Sequence, residues 1–153
     1  MAKTIVFDMD GTVYDLYNVD NWLEKLNNSD VTVYADGAPM VDLTELEKVC
    51  RALMAKGWEI SVITWLAKDS DTIFDYYTTE TKKAWVKINM PYVKNFTAQK
   101  YGTPKQKALS RSIKKAILID DNADVCAKWD TPIQRKSINA GKVDIIAKLW
   151  ELV

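Results

Sequence analysis

Apolar and polar positions along this chain sort into short runs that alternate with longer, helically spaced stretches. Thr4-Ile5-Val6-Phe7 is β-branched and aromatic and stops at Asp8-Met9-Asp10-Gly11-Thr12, which predicts a buried strand ending in polar residues. Leu43, Leu46, Val49, Cys50, Leu53 and Met54 recur at helical spacing over residues 43–56. Asp42 and Glu45 stand where a capping box would start that helix, and Gly57 stands where it would stop. Residues 58–64 read as a second strand, ending in the hydroxyl of Thr64. Ser70 and Asp71 open a long helix with Ile73, Phe74, Tyr77, Ala84, Trp85 and Ile88 on its inner side, and Pro91 ends it. A third strand is expected over 93–98, then a turn at Gly102-Thr103-Pro104 leading into a helix over 105–113. Residues 116–119 form a fourth apolar strand closed by Asp120-Asp121. A short helix near 123–129, a turn at Pro132, an edge strand over 134–138 and an amphipathic helix carrying Val143, Ile146, Leu149 and Trp150 complete the pattern.

Strands alternating with helices imply a mostly parallel sheet covered on both faces. In such folds ligands bind beyond the carboxyl ends of the strands. The residues at those ends are Asp8 and Asp10 after the first strand, Thr64 at the second, and Asp120 and Asp121 after the fourth, with Lys105 at a helix start after the third. Residues far apart in sequence therefore meet on one rim.

Composition narrows the chemistry. The chain has 153 residues, one ordinary domain, with Lys plus Arg and Asp plus Glu both at 21. Zero net charge argues against a non-specific nucleic-acid binder, although a local basic patch is still compatible with it. There is no histidine, so no Ser-His-Asp triad, Cys-His dyad or histidine metal site can be built within this chain. Cys50 and Cys126 sit among apolar or helical neighbours and read as small core residues. The start of the sequence lacks a secretory apolar core and no stretch is long enough to span a membrane, so a cytoplasmic location is expected.

Several acidic groups gathered in a few ångströms repel one another unless a cation neutralises them. Oxygen donors without histidine or paired thiolates select Mg²⁺ over zinc or copper. A Mg²⁺ so held favours a phosphate, for which Thr64 offers a hydroxyl and the amides around Met9, Gly11 and Thr12 an anion-binding nest. Lys105 adds positive charge. The chemistry this kit suits is phosphoryl transfer to a carboxylate, followed by hydrolysis.

Asp8-Met9-Asp10-Gly11-Thr12, Thr64, Lys105 and Asp120-Asp121, in that order and spread over essentially the whole chain, resemble the four motifs of the haloacid dehalogenase (HAD) superfamily of phosphohydrolases. The chain is similar to small phage-type members of that superfamily. The resemblance implies a HAD-like, Rossmann-like three-layer α/β/α sandwich and a Mg²⁺-dependent phosphatase. It implies Asp8 as nucleophile and metal ligand. Asp10 would be the general acid and base, its backbone carbonyl touching the metal. Thr64 would orient the phosphoryl group, and Lys105 would stabilise the transferring charge. Asp121, with Asp120 beside it, would complete the metal site. Lys107 is a rival for Lys105, Asp124 a further candidate through water, and the choice between Asp120 and Asp121 as direct ligand stays open. A receiver domain of a signalling relay fails on motif order, since its acidic pair comes first.

Trp65 directly follows Thr64 and is a candidate wall of the substrate pocket, with Tyr14, Tyr17 and Trp22 just after the first motif as candidate partners for stacking a nucleobase. Trp58, Trp85, Trp129 and Trp150 read as core. Residues 13–63 separate Thr12 from Thr64, and a helix-plus-strand unit uses roughly 25–30 of them. A flap over about 13–42 with a small helix near Trp22 fits, whereas a full cap domain does not. A single domain over 1–153 with a minimal cap follows. Its expected substrate is a phosphorylated small molecule, a phosphomonoester such as a nucleotide. Nucleic-acid ends or phosphoproteins are the alternative substrates, and a phosphate- or metal-binding module without turnover is the alternative outside enzymes. By the same resemblance, a nearly capless member admits large substrates or borrows a lid from a second copy in a homo-oligomer.

Overall fold

The apolar run that ends at Asp8 becomes the middle strand of the sheet. The computed structural model describes residues 2–130 and 135–153. Its strands are β1 (Ala2–Phe7), β2 (Trp58–Trp65), β3 (Asn95–Gln99), β4 (Ile113–Asp120) and β5 (Arg135–Asn139), in the spatial order β3-β2-β1-β4-β5. Every pairing is parallel, which is why all the strand ends that carry polar residues point the same way. Gln134 and Pro132, expected at the start of the last strand, lie outside the described residues.

Among the described residues five α-helices accompany the sheet: α1 (Trp22–Asn27), α2 (Leu43–Ala55), α3 (Thr72–Asn89), α4 (Ala123–Trp129) and α5 (Ile145–Trp150). Short polar side chains start most of them. Asp42, Asp71, Asn122 and Asp144 each accept hydrogen bonds from the first free amides of α2, α3, α4 and α5. Glu45 does not close a capping box on Asp42 but pairs with Lys48, and Gly57 stops α2 in a left-handed conformation with φ at +87°.

Alternation along the strands divides the core in two. On one face Ile5, Phe7, Ile60, Val62, Ile117 and Ile119 pack against Leu46, Val49 and Leu53 of α2, Phe74 and Trp85 of α3, and Ile145 and Leu149 of α5. On the other, Val6, Ile63, Ala116 and Leu118 meet Val125 and Trp129 of α4, with Ala108 and Leu109 alongside. The result is the expected α/β sandwich, with its second face more thinly covered. No helix among the described residues is long and apolar enough to cross a membrane.

Three expectations are corrected. The helix over 105–113 is only a 3₁₀ turn, Lys105–Ala108, because Leu109 turns into extended backbone and β4 already begins at Ile113. The inner side of α3 carries Phe74, Thr78, Lys82, Trp85 and Val86, while Ile73 (73% exposed), Tyr77, Ala84 and Ile88 (77%) face outward. Two stripes compete on this helix, and the one that docks contains a lysine. Trp150 is 45% exposed rather than core, since Ile145 and Leu149 set the buried face of α5.

Residues 13–42 form two 3₁₀ turns, Leu16–Asn18 and Val31–Tyr34, on either side of α1. Tyr14 fastens this segment. Its hydroxyl donates to the Val33 carbonyl (2.6 Å) and accepts from the Gly37 amide (2.7 Å). Tyr14 is therefore fully buried and does not face the pocket as expected. A Cβ on Gly37 would come within 2.5 Å of the Tyr14 ring, so only glycine allows that approach.

Candidate active site

Beyond the carboxyl ends of β1, β2 and β4 a cavity of about 660 Å³ opens, with Asp8, Asp10, Lys105, Asp120 and Asp121 in its lining. The end of β1 delivers the first acid. Asp8 is held by its amide to the Ile119 carbonyl of β4, which brings it beside the acids that end that strand. Carboxylate oxygens of Asp8, Asp120 and Asp121 lie within 4.8 Å of one another. The sharp turn after β1 makes the room. Gly11 adopts φ +79°, and a Cβ there would sit 2.5 Å from Asp121 Oδ2.

Lys105 binds this cluster together. Its Nζ donates to Asp8 Oδ1 (2.6 Å) and Asp120 Oδ2 (2.8 Å), and the residue is only 3% exposed. Burial alone would lower its pKa, but the Asp8 and Asp120 charges outweigh that and hold it above the ordinary lysine value. Lys107, its rival, is exposed to solvent, which leaves Lys105 as the lysine of the site. Asp120 has no free oxygen, since Oδ1 accepts from the Asn122 amide (2.9 Å). Asp121 has only a long contact with Thr12 Oγ1 (3.3 Å), which also reaches Asp8 Oδ2 (3.2 Å). Burial first, and then the neighbouring Asp8 charge, push both Asp120 and Asp121 above the ordinary carboxylate range. Asp124 stands apart, exposed and paired with Lys128.

Asp10 points elsewhere. Its carboxylate is outside the three-acid cluster and meets Lys82 of α3, whose Nζ donates to Asp10 Oδ2 at 2.7 Å. The same ammonium donates to Thr64 Oγ1 (2.9 Å) and to the Trp65 carbonyl (2.9 Å), and it lies 4.5 Å from the centre of the Tyr34 ring. Lys82 is fully buried. Asp10 Oδ1, in contrast, is buried and makes no hydrogen bond among the described residues. Desolvation raises the Asp10 pKa, and the Lys82 charge offsets only part of that. Sequence reasoning missed Lys82. The signal that could have found it is its place eight residues after Phe74 and three before Trp85, on the stripe those two aromatics define.

The turn after β1 does not form the expected nest in full. The Gly11 amide is taken by the Tyr14 carbonyl (2.9 Å) and the Thr12 amide by the Met9 carbonyl (3.1 Å), while the Met9 side chain is buried in the core. Trp65 does line the cavity, but its indole N–H donates to the Thr103 carbonyl (2.8 Å) and its ring packs on Tyr101 at 5.1 Å. It braces the turn that carries Lys105. The exposed aromatics at the rim are Tyr101 on that side and Tyr17, packed edge-on against Trp22 (5.1 Å), on the other.

The donor set suits a divalent cation. Three carboxylates against one lysine leave the cluster negative, every donor is an oxygen, and hard oxygen donors favour magnesium-like ions.

These features define an α/β fold with an acid-lined site at the carboxyl ends of its strands. No family model matches the sequence, and no curated protein matches it either. Among solved structures, the fold is similar to that of D,D-heptose 1,7-bisphosphate phosphatase from Burkholderia thailandensis. The TM-score is 0.56 and the identity 12%, over 98% of this chain and 97% of the other. At that identity the likeness is one of fold.

Proposed function

We propose that this protein is a HAD-type phosphatase that hydrolyses a phosphomonoester through an aspartyl phosphate on Asp8. The observation that carries the reading is the meeting of Asp8, Asp120 and Asp121 around a space fit for a cation, with Lys105 spanning Asp8 and Asp120. The solved neighbour is itself named for phosphatase action on a sugar bisphosphate, which supports the reaction class.

In this reading Asp8, Asp121 and the Asp10 backbone carbonyl would hold Mg²⁺, while Asp120, its oxygens already engaged, orients Lys105. The metal, when bound, would neutralise the phosphoryl oxygens and the acids around them. Asp8 attacks phosphorus and the ester oxygen leaves with a proton from Asp10. Water, losing a proton to Asp10, then releases phosphate from Asp8. Acid–base help of this kind contributes about 10²–10⁴-fold. Thr64 is fully buried and its Oγ1 accepts from Lys82, so its part in this reading is to hold that ammonium beside Asp10. Lys105 balances the charge that builds on Asp8 and the phosphoryl group.

Tyr17 and Tyr101, both more than half exposed at the rim, favour a substrate with a flat ring, and a nucleotide is the first candidate. Hydrolysis of a chromogenic aryl phosphate in Mg²⁺ tests the reaction class. Turnover lost in Asp8→Asn and suppressed by chelator is the expected result, and turnover persisting in Asp8→Asn would refute the mechanism.

A further inference from the structure

Lys82 is a fully buried cation far in sequence from every strand-end residue, and its three donors find three acceptors: Asp10 Oδ2, Thr64 Oγ1 and the Trp65 carbonyl. An ammonium has three N–H groups, so its capacity is filled. A charge taken out of water at this cost persists in a fold only when its partners are well placed. The partners here are two residues of the reaction centre and the backbone that follows one of them. The fourth neighbour is the face of Tyr34, from the 3₁₀ turn Val31–Tyr34.

The geometry at Asp10 is asymmetric. One carboxyl oxygen is tied to Lys82, the other, Oδ1, is buried with no hydrogen bond among the described residues, and the residue lines the cavity. Rotation about the side chain that would swap the two oxygens would break the 2.7 Å ion pair. We propose that Lys82 is a positioning residue, which fixes the Asp10 carboxyl at the cavity for the leaving oxygen of the ester and which holds Thr64 in the same act.

This inference rests on the phosphatase reading and adds to it a residue outside the four motifs. In the first step the Asp8–phosphorus bond forms as the bond from phosphorus to the ester oxygen breaks, and the proton on the Asp10 carboxyl passes to that oxygen. The alcohol leaves neutral and Asp10 is left as a carboxylate beside the Lys82 ammonium. In the second step Asp10 takes a proton from water as the water oxygen bonds to phosphorus and the bond to Asp8 breaks. Lys82 keeps its own protons throughout.

Leaving groups separate positioning from mere support. A nitrophenyl ester departs as a stable anion and needs little protonation, whereas an alkyl ester depends on the acid. Loss of Thr64 orientation, or of folded protein, lowers both rates in proportion and cancels in their ratio. In Lys82→Met, kcat/KM on an alkyl phosphate is expected to fall at least about tenfold further than kcat/KM on the nitrophenyl ester, within the ~10²–10⁴ span of acid catalysis. Lys82→Arg retains the charge but changes the donor geometry, and is expected to restore part of that ratio. It also supplies the measurement if Lys82→Met does not fold. An unchanged ratio in the folded variants would overturn the proposal and leave Lys82 as scaffold. Wild-type protein that hydrolyses neither ester in Mg²⁺ would instead overturn the phosphatase reading, and this assignment with it.

Discussion

Two lysines are buried among the described residues, and they reach the end of β1 from opposite faces of the sheet. Lys105 comes from the thinly covered face, on a 3₁₀ turn after β3, and spans Asp8 and Asp120. Lys82 comes from the thick face, on the middle of α3, and meets one carboxylate, one hydroxyl and one carbonyl. Around Lys105 the charges do not close, because a third acid, Asp121, stands beside the pair with only a long contact to Thr12. Around Lys82 they do. An electrostatically unfinished group of side chains is a place for a ligand, and a finished one is a frame for it.

That contrast can be broken by experiment. The largest effect is expected on catalysis in Asp8→Asn, where aryl phosphate hydrolysis should disappear while the fold, followed by circular dichroism, persists. Next come the two lysines. Removing one partner of a buried pair typically costs about 3–5 kcal/mol, so both Lys82→Met and Lys105→Met should lower the urea midpoint substantially. Magnesium then tells them apart. A cation bound to the three-acid cluster stabilises the fold by about 2.7 kcal/mol at a hundredfold excess over its Kd. The thermal shift caused by Mg²⁺ should therefore be unchanged in Lys82→Met and altered in Lys105→Met. Equal shifts in wild type and both variants would erase the distinction between the two regions.

A smaller effect is expected at Gly11. An alanine there meets a left-handed backbone and the Asp121 carboxylate at once, at a cost of roughly 1–2 kcal/mol for the backbone alone. Gly11→Ala should weaken Mg²⁺ binding, measured by calorimetry, and leave the Lys82 side untouched. The smallest effect is a pH slope. The folded-state pKa of Lys105 is raised above its ordinary 10.5, so its ion pairs contribute fully below that value and are lost as pH rises through the raised one. As pH is taken above about 10.5, wild-type protein should lose more stability than Lys105→Met does, as read by urea midpoints.

The sequence made every acid and the hydroxyl of both groups legible and hid only the lysine of the finished one. Asp8, Asp10, Thr64 and Asp120-Asp121 terminate apolar runs, and a parallel sheet has no choice but to gather them at one rim. Lys105 sits beside a Pro104 turn, so a position near that rim followed, although the helix expected over 105–113 forms only as the turn Lys105–Ala108. Lys82 is one of a Lys82-Lys83 pair within a helix, where a lysine ordinarily faces water. The competing apolar stripe through Ile73, Tyr77 and Ile88 also rotated the expected helix away from its true docking face. Which stripe docks is decided by tertiary charge pairing with Asp10, a partner 72 positions away that local periodicity does not contain. The nest at Gly11 and Thr12 failed for a related reason, because the turn consumes its own amides.

The Tyr34 ring resting on Lys82 has a consequence for how such a protein can be re-engineered. It anchors the far end of the 13–42 stretch to the same ammonium that holds Asp10, while Tyr14 rivets the near end. Between them Leu16, Val19 and Val33 belong to the core, so α1, which buries no residue, is the part that can be exchanged as a cassette. Grafting a different span in its place would redesign what is admitted without disturbing the chemistry underneath.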